Sequence, residues 1–266
     1  MPPLFVQMHG KEPLSSLTPE MIENDINIVV TGPTGSGKSH LINVLFNCDV
    51  SESSSSMESV TQDIHFFRGV LNMSHPLVKE LDASKYTGVS LFSDKCINII
   101  DTIGFCDTHM TQEQVMATIK TKLKHNVVNV HKVIVVTDGT NRLSEQATRA
   151  IQDMMSWLQY EKYKPNWIFV SNKCDGLSKA EREKNLADTM KLLRVNQTDV
   201  EGTFAGALVK LAIPVGFRPK DRHMSVDAKK SEKSLGMAIL YWNEAASLSR
   251  CKPIPVHPQE SMCTIS

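Results

Sequence analysis

The run Gly32-Pro33-Thr34-Gly35-Ser36-Gly37-Lys38-Ser39 decides how this chain is read, because an apolar strand-like stretch (Ile26 to Val30) precedes it and a helix-like one (Leu41 to Phe46) follows. Glycines let a backbone fold closely around an anion, so that its N–H groups point inward and the following helix adds the positive end of its dipole. The run therefore reads as a phosphate-binding loop, with His40 adjoining it at the start of the helix. In that setting Lys38 reaches β- and γ-phosphates, and the Ser39 hydroxyl holds Mg2+.

Outward from this loop, apolar runs alternate with amphipathic ones. Cys96–Ile100, Val133–Val136 and Trp167–Val170 read as strands; Val115–Leu123, Ala147–Leu158 and Leu186–Leu193 read as helices. The alternation predicts an α/β, Rossmann-like domain with a central, mostly parallel sheet of about six strands and helices on both faces. Asp63 to Leu71 is expected to form an antiparallel edge hairpin with Cys96–Ile100, and Asn72 to Lys95 a polar surface insertion between them. Residues 1–24 lack a period and read as an N-terminal tail, residues 25–250 as the domain, and residues 251–266 as a disordered tail. The last helix is expected from Asp227 to about Leu248, with Leu235, Ile239, Trp242 and Ala246 on one face.

The chain of 266 residues, 41% of them hydrophobic, suits one large domain. Lys plus Arg (29) balance Asp plus Glu (29), so no net field attracts nucleic acid or an anionic membrane. The six cysteines show no metal-ligand spacing and no apolar signal segment opens the chain, which reads as a reduced, cytoplasmic protein.

Two further motifs carry chemistry. Asp101-Thr102-Ile103-Gly104 closes the Cys96–Ile100 strand at the sheet edge where α/β proteins bind ligands. Asp101 is placed to hold Mg2+ through water, and Gly104 to bring a backbone N–H against a γ-phosphate. Ser171-Asn172-Lys173-Cys174-Asp175 follows the Trp167–Val170 strand. The Asp175 carboxylate accepts two N–H bonds from a guanine edge, a pair that adenine does not offer. Lys173 covers the ring with its aliphatic stem, and Asn172 ties this loop to the phosphate loop.

From about Ile26 to Arg194 the chain resembles the P-loop GTPases of the translation-factor-related class. With Ser59-Val60-Thr61-Gln62 and Asp101 through Thr108, it is most similar to the immunity-associated (GIMAP-type) GTPases. The resemblance implies bound GTP or GDP with Mg2+, and makes Thr61 the switch threonine that closes over Mg2+ and the γ-phosphate. It implies a slow GTPase switch in which Lys38, Thr61 and Gly104 form the catalytic set. Phe105 stands where the Ras-like pattern has a water-orienting glutamine, so hydrolysis is expected to need a homodimer or another partner. No clean fifth motif appears between Gly202 and Pro219; Ile213-Pro214-Val215-Gly216 is a candidate turn. Two other readings stay open: a GTP-dependent oligomeric scaffold with little turnover, and a P-loop ATPase or kinase, against which Asp175 argues. Cys263-Thr264-Ile265-Ser266 fits a prenylation box, which would attach the chain to a membrane through Cys263.

Overall fold

The computed structural model describes residues 2–47, 63–84, 87–106, 110–204, 207–217, 226–241 and 253–256. In chain order these form β1 (Phe5–Pro13), α1 (Pro19–Asn24), β2 (Ile26–Thr31), α2 (Lys38–Phe46), β3 (His65–Leu71), α3 (Pro76–Ala83), α4 (Thr87–Ser93) and β4 (Cys96–Asp101). There follow α5 (Gln112–Asn126), β5 (Asn129–Val130), β6 (Lys132–Asp138), α6 (Glu145–Trp157), β7 (Trp167–Asn172) and α7 (Lys179–Leu193). The last elements are β8 (Glu201–Phe204), β9 (Ala207–Lys210), β10 (Ala212–Pro214), α8 (Val226–Leu240) and β11 (Ile254–Pro255).

A seven-stranded sheet in the order β1-β3-β4-β2-β6-β7-β10 forms the centre. From β4 to β10 all pairings are parallel, while β3 runs antiparallel to β4 and β1 antiparallel to β3. Every residue of β2 and of β7 is buried, so both faces of the sheet are covered there; this is why these strands read as unbroken apolar runs. Helix starts are set by side-chain caps: Thr111 with Gln114 for α5 and Ser178 with Glu181 for α7 form reciprocal capping boxes, and Ser144 caps α6.

Three expectations are corrected. The sheet has seven strands because part of the stretch read as an N-terminal tail is β1, paired with β3 from Phe5 opposite Leu71 to Pro13 opposite His65. Only Phe5 of β1 is buried, so the strand carries no apolar alternation. Consequently β3 is not at the edge. The segment 72–95 is not a polar surface insertion either: α3 and α4 bury Leu77, Val78, Leu81, Val89 and Phe92 in the core. Finally, Pro253 to Val256 belongs to the fold, since β11 pairs with β5 and Ile254 and Val256 are fully buried. In α8, Leu235 and Ile239 are buried as their spacing required; Trp242 and Ala246 lie outside the described residues.

Candidate nucleotide-binding site

The phosphate loop joins the C-terminal end of β2 to α2, and its glycines sit where a side chain cannot. Gly37, at the N-cap of α2, has φ 92°, and a Cβ there would strike the amide of Asn172. Gly32 has φ 145°, and a Cβ would run into the carbonyl of Val136 on β6. Gly35, at φ 76°, faces open space.

The Lys38 ammonium donates to Gly32 O at 3.2 Å and Pro33 O at 3.1 Å, so it lies over the loop's own carbonyls. Thr34 Oγ1 and Ser36 Oγ are buried and have no hydrogen-bond partner among the described residues. Buried hydroxyls without partners in a glycine-rich loop, beside a buried ammonium, suit an anion that accepts from all of them. A phosphate group therefore fits this donor set.

At the end of β4, the Asp101 carboxylate accepts from the Ser39 hydroxyl at 3.1 Å. These two groups, 62 positions apart in sequence, are a pair of hard oxygen donors at the phosphate end of the cleft. They fit Mg2+, which typically takes one or two protein oxygens and completes its shell with phosphates and water. Gly104 packs on Thr34 so closely that a Cβ would lie 2.8 Å from the Thr34 Cα and N. Phe105 continues this contact through its backbone: its N–H donates to Gly32 O at 3.1 Å, and its carbonyl accepts from Thr34 N–H at 2.8 Å. Its ring is fully buried. Thr61 lies outside the described residues.

The base end is built by the β7–α7 connection. Asn172, at the end of β7, donates from Nδ2 to Ser36 O at 3.1 Å, which ties this loop to the phosphate loop. Its Oδ1 accepts from Lys173 N–H at 2.8 Å and supports the left-handed turn at Lys173, φ 61°. The Lys173 ammonium reaches Asp138 at the end of β6, 2.9 Å away. Burial pushes the Asp138 carboxyl up, but hydrogen bonds from Thr140 and Lys173 together bring it below its ordinary value. Burial pushes the Cys174 thiol up, which disfavours its thiolate.

Asp175 is half-buried and lies against Gly216, where a Cβ would sit 2.8 Å from the Asp175 Cγ. Residues 215–217 thus lie against Asp175, and they include Val215 and Gly216 of the turn that the sequence offered as a candidate fifth motif. Val215 N–H donates to Ser171 O at 2.8 Å, Cys174 N–H donates to Val215 O at 3.0 Å, and His40 on α2 is 3.0 Å from Phe217 O. The contribution is mostly backbone, which explains why no side-chain pattern announced it. Gly216, required by the approach of Asp175, was the available signal.

The structure brings Gly32 through His40, Asp101, Gly104, Asn172, Lys173 and Asp175 to the C-terminal edge of one sheet. No helix among the described residues is long and apolar enough to cross a membrane.

The sequence signature of the family described as 50S ribosome-binding GTPase matches residues 27–173. No curated protein sequence matches the chain. Solved structures with the same fold include Toc33 from Arabidopsis thaliana in complex with GDP and Mg2+, at 19% identity and TM-score 0.55, covering 88% of each chain. Toc33 with Mg2+ and GMPPNP aligns at 17% identity and TM-score 0.52, over 82% of this chain and 83% of that one. A further structure, described under the finding that dimerization is important for the GTPase activity of the chloroplast translocon components atToc33 and psToc159, aligns at 17% identity and TM-score 0.52. It covers 87% of this chain and 86% of its own.

Proposed function

Since the chain belongs to the 50S ribosome-binding GTPase family, we propose that it is a guanine-nucleotide switch that binds GTP and GDP with Mg2+ and hydrolyses GTP slowly. The observation that carries this reading is the 3.1 Å contact between Ser39 and Asp101, which joins the phosphate loop to the end of β4 as one cation-holding pair. Ser39 and Asp101 would hold Mg2+ there, and the cation would supply neutralisation of phosphate charge. Lys38 and the N–H groups of the phosphate loop hold the transferring phosphoryl group, and Gly104 presents its backbone without a side chain in the way. Thr61 takes the switch role that its place in the sequence implies. Asp175 reads the guanine edge, against the wall made by Gly216.

Slow turnover follows from Phe105. Its ring is apolar and fully buried, so that position cannot orient a water molecule. A missing hydrolytic group has to come from a second copy of the chain or from another protein, a reading supported by the dimer-dependent GTPase activity described for atToc33 and psToc159. The motif spelling points to the immunity-associated type within the class. Phe105 equally favours a second reading, a GTP-dependent oligomeric scaffold with little turnover. Cytoplasmic location with attachment through a prenylated Cys263 completes the proposal; isoprenoid labelling lost in Cys263→Ser tests it.

Equilibrium binding of fluorescent GDP, GTP analogue and ATP analogue, followed by single-turnover hydrolysis at rising protein concentration, tests the whole reading. Guanine-selective binding with a rate that climbs with concentration is expected. Guanine binding without turnover at any concentration selects the scaffold, and ATP preference refutes the assignment of Asp175.

A further inference from the structure

His40 stands two residues past Lys38, on the first turn of α2, and its side chain leaves the phosphate loop for the opposite wall of the site. Its Nε2 lies 3.0 Å from the Phe217 carbonyl. A carbonyl only accepts, so Nε2 carries the proton and donates. The two rings also pack, with centroids 6.4 Å apart at 59°. Phe217 is buried and is the last described residue of the wall turn.

This contact closes a circuit. Val215 is fixed to β7 and to the turn after it by the two backbone bonds with Ser171 and Cys174. Gly216 lies against Asp175 with no room for a Cβ. Beyond Gly216, His40 provides the tie that holds the turn to the helix following the phosphate loop. Gly216 is therefore held on both sides: by β7 through Val215 and by α2 through Phe217. Gly216 brings a backbone N–H, a donor group, to this wall beside Asp175, and such a donor suits a carbonyl on a base held by Asp175.

We infer that His40 is a positioning residue for base selection: by holding Phe217 it fixes the Gly216 wall at the distance that accepts a purine carrying a ring carbonyl and disfavours one carrying an amino group there. The inference rests on the guanine reading of Asp175 and goes beyond it, since it assigns part of the discrimination to a side chain of the phosphate-loop helix. The residue acts through the wall and makes no contact with a reacting atom.

Three proteins test this: wild type, His40→Leu, which removes the donor while retaining an apolar side chain, and His40→Gln, whose amide can donate to Phe217 O. In nucleotide-free protein, amide exchange over residues 212–217 is expected to speed up in His40→Leu and to return toward wild type in His40→Gln. GDP release is expected to be about fivefold faster in His40→Leu, the effect of one ordinary hydrogen bond. ADP binding should not weaken, because a looser wall relieves part of the penalty on the amino group, so the GDP-to-ADP preference falls by at least that factor, with recovery in His40→Gln. Unchanged exchange and preference in His40→Leu, or a loss equal in both variants, overturns the inference. A wild-type protein without guanine preference instead overturns the function proposed above, and the two failures are distinguishable because the exchange measurement contains no nucleotide.

Discussion

Replacing Asn172 by Ala should separate the two ends of the nucleotide site without touching a phosphate-binding group. The side chain is buried, with Nδ2 donating to Ser36 O at 3.1 Å and Oδ1 accepting from Lys173 N–H at 2.8 Å; the 3.5 Å contact with Gly37 O adds little. An ordinary hydrogen bond contributes about 1 kcal/mol net, and a buried group left without a partner costs about 1–3 kcal/mol. At about 1 kcal/mol net for each of the two good bonds, the loss is roughly 2 kcal/mol together. At about 1.4 kcal/mol per factor of ten, this corresponds to GDP binding roughly 30-fold weaker. The loss should appear in the dissociation rate of fluorescent GDP measured by stopped flow, because the phosphate loop that captures the nucleotide is intact. Asn172→Asp keeps the shape but turns an acceptor toward the Ser36 and Gly37 carbonyls, and should be worse than Ala. Both variants releasing GDP within about twofold of wild type, with native melting curves, would refute the claim that this bond couples base loop and phosphate loop.

Asp101→Asn should leave GDP binding in EDTA unchanged while removing most of the Mg2+-dependent gain in affinity for a GTP analogue; a retained Mg2+ effect in titration calorimetry contradicts the cation pair. Gly104→Ala forces a Cβ to within 2.8 Å of Thr34 backbone atoms, and should lower stability by about 1–3 kcal/mol in urea unfolding, as overpacking against backbone does. Stability should also depend on His131, whose Nδ1 accepts from Asn27 N–H at 3.1 Å. Burial, then the charges of Lys95 and Lys132, push this imidazole from 6.5 down to about 4. The unfolded ring takes a proton below pH 6.5 while the folded one refuses it until about pH 4. The contribution is thus complete above 6.5 and lost as pH falls toward 4, by up to about 3 kcal/mol. In His131→Gln, thermal melts between pH 7 and pH 4.5 should fall less steeply than in wild type; parallel curves refute the assignment.

The phosphate loop, the Asp101 turn and the Asn172–Asp175 loop were legible in the sequence because each packs its chemistry into a few adjacent residues bounded by a strand. The parallel core was legible because strands buried on both faces, such as β2 and β7, appear as unbroken apolar runs. What escaped detection carries its information elsewhere. β1 is an exposed strand with one buried residue, so its stability comes from backbone pairing with β3 rather than from apolar alternation. The helices α3 and α4 are short, and their five core side chains are spread across a segment that reads as polar on average. The turn at Val215 to Phe217 was legible only as the candidate Ile213 to Gly216, because its contacts run through backbone N–H and C=O groups, which every residue but proline possesses, and Gly216 alone marks it in the sequence.

The position of β1 bears on how self-association is read. A protein trimmed to begin at Asp25, where the recognisable motifs start, would lose the strand that covers β3 and leave seven residues of β3 with an unpaired backbone edge. Such an edge recruits strands from other molecules whatever nucleotide is bound. Gly69 sharpens the effect, because its missing side chain makes room for Val6 and Phe46, and the vacated side of β3 would be left with a shallow groove there. Dimers of a trimmed chain would therefore not distinguish adhesion of a bare sheet from the pairing proposed above, and that proposal is to be tested on protein that retains its first thirteen residues.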